Sequence, residues 1–181
     1  MSVIIVTGSC GLIGSETVSF FAEKGFDIVG IDNNMRKSFF GEDGSILWNR
    51  KRLEKLHKNY KHYAVDIRSE RKINSIFKKY AKDVALIVHA AAQPSHDWAA
   101  KDPSIDFSVN AIGTMVLLEA MRKSCPAAVF IFTSTNKVYG DTSNRLPLIE
   151  KDKRFEILPD HKYYKGIDES MSIDSCLHSV F

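Results

Sequence analysis

Three glycines follow a short apolar run near the start of the chain. Gly8, Gly11 and Gly14 recur at intervals of three residues, between the apolar run at residues 3–6 and an amphipathic stretch at residues 13–24. Glycine has no Cβ atom, so the backbone N–H groups of such a segment can approach a ligand closely. A helix that begins there adds the partial positive charge of its N-terminus. The segment therefore predicts a strand, an anion-binding turn and a helix.

Up to about residue 140, short apolar runs alternate with longer amphipathic runs. Continuous apolar runs are typical of strands buried on both faces, as in a parallel sheet between helices. Right-handed crossovers then predict a doubly wound α/β fold of Rossmann type, with about five strands in the order 3-2-1-4-5. The later strands are predicted at residues 27–31, 62–65, 84–89 and 128–132. The later helices are predicted at residues 46–59, 69–80 and 104–124, and residues 33–45 are predicted to form a polar loop.

The composition is that of a globular domain and argues against several classes of protein. The 181 residues are 44% hydrophobic and 26% charged, a balance that disordered chains do not have. The apolar runs are of strand length and no signal peptide is visible, so we expect no membrane span. The three cysteines are far apart and odd in number, which is typical of a reducing cytoplasm, the expected location. A net charge of +3 is too small to indicate a nucleic-acid partner. The cysteines Cys10, Cys125 and Cys176 form no Cys-x-x-Cys pair, so neither a metal site nor a disulfide framework is predicted.

Two acidic residues follow the second and third predicted strands. Asp32 comes 18 residues after Gly14, where a carboxylate can accept hydrogen bonds from both ribose hydroxyls of an adenosine and repels a 2′-phosphate. Asp66 lies where an acid can meet the adenine amino group. This arrangement favours NAD over NADP, although Arg36 and Lys37 could hold a 2′-phosphate. The alternative is that the glycines form only a tight turn and that Asp32 caps a loop.

Four blocks of the chain share a pattern with a known group of enzymes. They are residues 8–14, residues 32–34, the His-Ala-Ala-Ala segment at residues 89–92, and residues 133–141. Together they resemble the nucleotide-sugar epimerases and dehydratases of the extended short-chain dehydrogenase/reductase superfamily. Within it, the Ser-Thr-Asn-Lys-Val-Tyr-Gly form at residues 134–140 is most similar to enzymes that epimerise C2 of a CDP-sugar. The resemblance implies that NAD takes hydride from the sugar of a nucleotide-sugar substrate and returns it to the opposite face.

The resemblance also assigns roles to individual residues. It implies that the Thr135 hydroxyl hydrogen-bonds the sugar oxygen that becomes a carbonyl. It implies that Asn110 holds the long helix and a water at the site, and these two are the predicted catalytic residues. The predicted cofactor-binding residues are Gly8, Cys10, Gly11, Leu12, Ile13, Gly14, Asp32, Asn33, Asn34, Arg36, Asp66, Ile67, His89, Ala90, Ala91, Thr133 and Ser134. The predicted substrate-binding residues are Gln93, Thr135, Asn136 and Lys137, and no metal ligand is predicted.

One expected pair of the superfamily is missing. Its general base is a tyrosine four positions before a lysine, whose charge lowers the tyrosine pKa. No tyrosine of this sequence has a lysine four positions later, and Phe181 stands where the family's tyrosine is expected. We therefore expect residues 1–140 to form an NAD-binding domain. Residues 141–181 are expected to form an irregular substrate-side segment cut at the tyrosine position, without the family's last strands and substrate domain. Such a chain should bind NAD weakly or moderately and not turn over.

Two other functions remain open at this stage. The chain could be a non-catalytic NAD-binding or partner-binding paralogue. It could also be a dehydratase or reductase, although those enzymes usually place acidic residues where Asn136 and Lys137 stand here. Because a missing covering helix would leave the fifth strand exposed, we expect a homo-oligomer. No nucleic-acid or membrane partner is expected, since the basic run at residues 50–61 is typical of a solvated helix face.

Overall fold

Five parallel strands form the centre of the first part of the structure. The strands are β1 (Val3–Thr7), β2 (Asp27–Ile31), β3 (Tyr60–Tyr63), β4 (Val84–His89) and β5 (Val129–Phe132). Their order in the sheet is β3-β2-β1-β4-β5, and every pairing is parallel, as predicted. The computed structural model describes residues 2–173, and these residues cluster into two units that divide after Thr133. Cys176 and Phe181 lie outside the described residues.

Helices cover both faces of this sheet. The helices of this unit are α1 (Leu12–Glu23), α2 (Arg36–Phe40), α3 (Leu47–Leu56), α4 (Glu70–Tyr80), α5 (His96–Lys101), α6 (Pro103–Phe107) and α7 (Gly113–Ser124), with a π-helical turn at Ser108–Ile112. Of these, α1, α3, α4 and α7 pack on the sheet. All five residues of β1 are buried, and the four apolar ones alternate between two clusters. Val3 and Ile5 pack with residues of α4 and α7, while Ile4 and Val6 pack with residues of α1 and α3. This division explains why the strand sequence is continuously apolar.

The structure differs from the sequence prediction at the second crossover. Residues 33–45 were expected to form a loop, but they contain α2 and a 3₁₀ turn at Glu42–Gly44. The third strand begins at Tyr60, two residues before the predicted start. Tyr60 is buried, Lys61 is exposed, and His62 and Tyr63 are half-buried, so this edge strand is not a continuous buried apolar run.

The second unit is described from Ser134 onward. It contains 3₁₀ turns at Asn136–Tyr139 and Thr142–Arg145, followed by an antiparallel hairpin of β6 (Leu148–Glu150) and β7 (Phe155–Ile157). This hairpin lies where the sequence predicted an irregular segment. The proposed domain boundary at residue 140 stays a prediction.

The helical stretch Pro103–Ser124 is long and apolar enough to cross a bilayer by length and composition alone. The apolar runs had suggested no such segment. Core helices of globular proteins pass the same test, and Val109, Val116, Leu117 and Ala120 of this stretch pack into the cluster on one face of the sheet.

Candidate dinucleotide-binding crevice

A crevice of about 230 Å³ opens where β1, β2 and β4 end. In open parallel sheets, ligands bind at the carboxyl ends of the strands where the strand order reverses, which here is beside β1. The lining residues that sequence analysis predicted are Gly8, Gly11, Leu12, Ile13, Gly14, Asp32, Asn33, Arg36, Asp66, Ile67, Ala90 and Ala91. The lining residues that it missed are Ile31, Met35, Phe39, Ile46, Val65, Ala92, Pro94 and Val109.

The three glycines are required for different reasons. Gly8 has a φ of +65°, and a Cβ atom there would lie 2.7 Å from the Ala90 carbonyl oxygen. A Cβ atom on Gly14 would overlap the backbone of Gly8. At Gly11, by contrast, a Cβ atom would meet only the Gly8 carbonyl oxygen, at 3.4 Å, which is ordinary contact. The fold therefore requires glycine at positions 8 and 14. It does not require glycine at position 11, where the absence of a side chain leaves room for a ligand at the start of α1.

Asp32 joins the end of β2 to the glycine-rich turn. Its Oδ2 accepts a hydrogen bond from the Cys10 backbone N–H at 3.1 Å, and its Oδ1 accepts one from the Asn34 N–H at 2.9 Å. Burial raises the pKa of Asp32, and these backbone hydrogen bonds oppose the rise. Each carboxylate oxygen has a further lone pair, so both can accept from a ligand at the crevice.

Asp66 is held by a separate network on the same side of the crevice. Arg68 donates to both of its carboxylate oxygens, and Asn33 Nδ2 donates to Oδ2 at 3.1 Å. Burial alone would raise the pKa of Asp66, but the Arg68 hydrogen bonds outweigh it and the pKa lies below its usual value. Arg68 also donates to Ser108 Oγ at 3.0 Å, which ties this acid to the π-helical turn.

Cys10 lies beneath the glycine-rich turn and does not line the crevice. Its thiol is within 3.6 Å of the Tyr60 hydroxyl and 3.8 Å of His62 Nδ1, and Tyr60 in turn contacts Ser9 Oγ at 3.0 Å. Burial raises the pKa of the Cys10 thiol, so it is a poor nucleophile and acts as a packing residue. Asn34 is likewise absent from the lining, because its side chain bonds Ser45 and Ile46 in the turn before α3.

His89 was predicted to contact the cofactor, but its ring is buried at 2% exposure and does not line the crevice. Its Nδ1 lies 2.7 Å from Thr7 Oγ1, and its Nε2 lies 2.9 Å from Thr114 Oγ1. Burial lowers the pKa of His89 to about 4, so the ring is neutral at physiological pH. The adjacent Ala90 and Ala91, with their small side chains, line the crevice in its place.

Asn110 and Gln93 lock together the segment that follows β4. Asn110 Oδ1 accepts from the Gln93 N–H at 2.9 Å, and Asn110 Nδ2 donates to the Gln93 carbonyl at 3.1 Å and to Asp106 Oδ1 at 3.1 Å. Asn110 lies in the π-helical turn, a feature frequent at functional sites. Gln93 is buried at 3% exposure, and its side-chain amide bonds Ser95 and Asp106. Both residues therefore shape the crevice wall, while their predicted catalytic and substrate contacts stay predictions.

The remaining predicted residues lie at or after the end of β5. Thr133 N–H and Oγ1 both donate to the His89 carbonyl, at 3.1 and 3.0 Å, which extends the β4–β5 pairing. Ser134 and Thr135 are exposed and belong to the second unit, with Asn136 and Lys137 in the 3₁₀ turn that follows. Their predicted contacts with cofactor and substrate stay predictions. Among residues 2–173, no group of His, Cys, Asp and Glu has the arrangement of a metal site.

The sheet order, the glycine-rich turn and the acid after β2 define a Rossmann-type dinucleotide-binding fold. The sequence matches the NAD dependent epimerase/dehydratase family over residues 4–165, and the chain belongs to that family. The family is NAD-dependent, and its members similar to this chain include nucleotide-sugar epimerases.

Individual relatives agree with this assignment. The chain is 32% identical to CDP-paratose 2-epimerase of Salmonella typhi over 178 residues, which are 98% of this chain and 48% of that protein. It is 32% identical to UDP-glucose 4-epimerase of Yersinia pestis over 149 residues, which are 81% of this chain and 40% of that protein. The chain spans about half the length, or less, of the curated relatives that it matches.

Solved structures show the same architecture. The UDP-glucose 4-epimerase of Thermotoga maritima with UDP-glucose superposes with a TM-score of 0.63 at 30% identity, covering 80% of this chain and 42% of that one. The UDP-glucose 4-epimerase of Thermus thermophilus in complex with NAD superposes with a TM-score of 0.61 at 27% identity, covering 84% and 42%.

Proposed function

We propose that this chain binds one NAD molecule in the crevice, with the diphosphate at the start of α1 and the adenosine ribose at Asp32. The observation that carries the proposal is that the open Gly11 backbone and the half-buried Asp32 carboxylate both line one crevice. Backbone N–H groups and the helix dipole suit a diphosphate. A carboxylate with free lone pairs suits two vicinal hydroxyls.

The charges around Asp32 support NAD over NADP. A 2′-phosphate beside Asp32 would place two negative groups together, which costs free energy unless a cation intervenes. Of the two candidate cations, Lys37 is paired with Glu42 at 2.7 Å. Arg36 lines the crevice, but its guanidinium packs over the Phe40 ring at 4.7 Å. Neither arrangement points to a dedicated phosphate site.

We further propose that the protein acts on a nucleotide-sugar, as its relatives' names state for them, with a CDP-sugar epimerised at C2 as the favoured case. The Salmonella typhi relative, a CDP-paratose 2-epimerase, supports this choice because its similarity covers nearly the whole chain. Bound NAD⁺ would supply the hydride acceptor. The predicted role of Thr135 is to hydrogen-bond the sugar oxygen that becomes a carbonyl, and that of Asn110 is to hold the long helix and a water at the site.

The 181-residue polypeptide is proposed to bind without turning over. It has no tyrosine followed four positions later by a lysine, so the proton acceptor of the superfamily's reaction is missing from its sequence. The proposed cytoplasmic location rests on the three widely spaced cysteines of the sequence, which form no Cys-x-x-Cys pair.

The test measures binding and turnover on the same preparation. Calorimetry with NAD⁺ and NADP⁺ should show binding of NAD⁺ with the higher affinity. Incubation with NAD⁺ and CDP-, UDP- or GDP-sugars, followed by NMR, should leave each sugar unchanged. Epimerised product would refute the proposal of an inactive polypeptide, and absence of NAD⁺ binding would refute the cofactor site.

A further inference from the structure

We propose that Trp98 is a positioning residue for the cofactor: it holds Phe39 against the crevice and thereby slows release of NAD. The proposal rests on the proposed NAD site and adds to it a residue that neither the glycine-rich turn nor the acids predict. We call the Phe39–Trp98 contact the clasp.

The clasp joins segments from opposite sides of the crevice. Phe39 lies in α2, which follows β2, and Trp98 lies in α5, which follows β4. Because β2 and β4 flank β1 in the sheet, these two segments leave the sheet on either side of the glycine-rich turn. Phe39 lines one wall of the crevice, and Pro94, which leads into α5, lines it as well. A contact between α2 and α5 therefore bridges the two walls.

The clasp combines a hydrogen bond with ring packing. Trp98 Nε1–H donates to the Phe39 carbonyl oxygen at 2.8 Å, and the two ring centroids are 5.4 Å apart with planes tilted by 60°. The Lys101 ammonium lies 4.5 Å from the Trp98 ring centroid. Trp98 is half-buried and does not itself line the crevice, so it can act on a ligand only through Phe39.

The position of Trp98 is fixed from the core outward. Gln93, which is buried, accepts from the Ser95 N–H through Oε1 at 2.6 Å and donates to the Ser95 carbonyl at 3.0 Å. Ser95 Oγ accepts from the Trp98 backbone N–H at 3.3 Å and caps α5. Asn110 holds Gln93 in turn. The buried network after β4 thus reaches the crevice wall at Phe39 through Trp98.

This arrangement predicts an effect on release of the cofactor. A bound dinucleotide lying in the crevice leaves more slowly if the two walls are joined, because the wall on the α2 side must move for the adenosine end to escape. Loss of the indole N–H removes one ordinary hydrogen bond between the two walls. The free energy of such a bond corresponds to an increase of about two- to tenfold in the rate of NAD release.

The experiment is a displacement measurement on the whole chain. Protein loaded with etheno-NAD, a fluorescent adenine analogue, is mixed with excess NAD⁺, and the release rate is followed. Trp98→Phe, which keeps a ring but not the N–H, should release about two- to tenfold faster than the parent. Phe39→Leu, which keeps the carbonyl and the apolar bulk, should also release faster and serves if Trp98→Phe folds poorly.

Two controls separate a positioning role from general destabilisation. Trp48→Phe makes the same chemical change at the other tryptophan, which is 67% exposed on α3, and should leave the rate unchanged. Ile76→Val lowers stability from within the core on α4, away from the crevice lining, and should also leave the rate unchanged.

The outcomes are distinguishable from failure of the NAD site itself. If the parent chain binds NAD and Trp98→Phe releases it at the parental rate, or if Ile76→Val accelerates release equally, the clasp has no positioning role. In Trp48→Phe, Trp98 is the only tryptophan, and its protection from acrylamide reports the clasp without any ligand. If Trp98 is protected but the chain fails to bind NAD, both the cofactor site and the positioning role of the clasp are wrong. The contact between Phe39 and Trp98 would still be present.

Discussion

One carboxylate, that of Asp32, links the glycine-rich turn to the end of β2. Its two backbone hydrogen bonds, from Cys10 and Asn34, fix its orientation before any ligand binds. Side chains fixed in this way lose little conformational entropy when a ligand arrives. The sequence spacing predicted the position of this acid, whereas the hydrogen bond to the Cys10 N–H follows from the folded path of the turn.

Replacing Asp32 by Asn should weaken NAD binding by roughly ten- to hundredfold, the effect of losing hydrogen bonds to a charged group. The preference for NAD⁺ over NADP⁺ should narrow, because the repulsion of a 2′-phosphate is removed. Calorimetry with both cofactors measures the two effects. Asp43→Asn is the matched control, since Asp43 is exposed and outside the crevice lining. Equal NAD affinity in Asp32→Asn and the parent would contradict the role of Asp32.

One buried imidazole, that of His89, and one half-buried imidazole, that of His62, predict loss of stability in acid. Burial lowers the pKa of His89 to about 4, and burial followed by repulsion from Arg50 lowers that of His62 to about 4. The unfolded imidazole titrates near pH 6.5, so below that pH the unfolded state binds more protons and stability falls until the folded pKa is passed. The pKa difference of His89 alone should lower the free energy of unfolding by about 2 kcal/mol when the pH falls from 7.5 to 5. Urea unfolding at the two pH values checks this, and an unchanged free energy would contradict it.

At the scale of elements, the sequence predicted the sheet well and the connections poorly. The central strands were predictable because runs such as that of β1 are buried on both faces and must be apolar throughout. The helix α2 was missed because five residues ahead of a glycine-containing turn show no helical period. Phe39 and the clasp were missed with it, since a contact between residues 59 positions apart leaves no local pattern. The hairpin of β6 and β7 was missed because each strand has only three residues.

The segment after β4 depends on Asn110 more than on any local propensity. Asn110→Ala would leave the Gln93 N–H and carbonyl without their side-chain partner, at a cost of about 1–3 kcal/mol in unfolding free energy. Urea unfolding measures this cost. Thr17→Ala, which removes one exposed side-chain hydrogen bond on α1, is the control and should change stability by less than about 0.5 kcal/mol. A neutral Asn110→Ala would show that the network does not hold the segment.

At the scale of the whole molecule, the described residues leave apolar surface on the β5 side of the sheet. Val129, Ile131 and Phe132 of β5 are 59%, 46% and 54% exposed, and Met115 and Leu118 of α7 are 53% and 45% exposed. An exposed edge strand with apolar side chains is a site for association with another chain. The homo-oligomer expected from the sequence stays a proposal, and these side chains of β5 and α7 are its proposed interface.

Sedimentation of the 181-residue polypeptide should show concentration-dependent self-association. Ile131→Lys should weaken it, because a charged side chain on an edge strand disfavours pairing with another edge. Leu56→Lys, at a 58% exposed position on α3, is the matched control and should associate as the parent does. A monomer at every concentration, or equal effects of both lysines, would contradict the proposed surface.

The central claim is that the crevice beside the glycine-rich turn binds NAD, and its most direct test is a calorimetric titration of NAD⁺ into the parent chain and into Gly11→Ala. A Cβ atom at Gly11 has room within the fold but stands where the diphosphate approaches the start of α1. The parent should bind one NAD⁺ per chain, and Gly11→Ala should bind at least about tenfold more weakly, or ~1.4 kcal/mol, with an unchanged melting temperature without ligand. No heat of binding in the parent, or equal affinity in the two proteins, would contradict the claim.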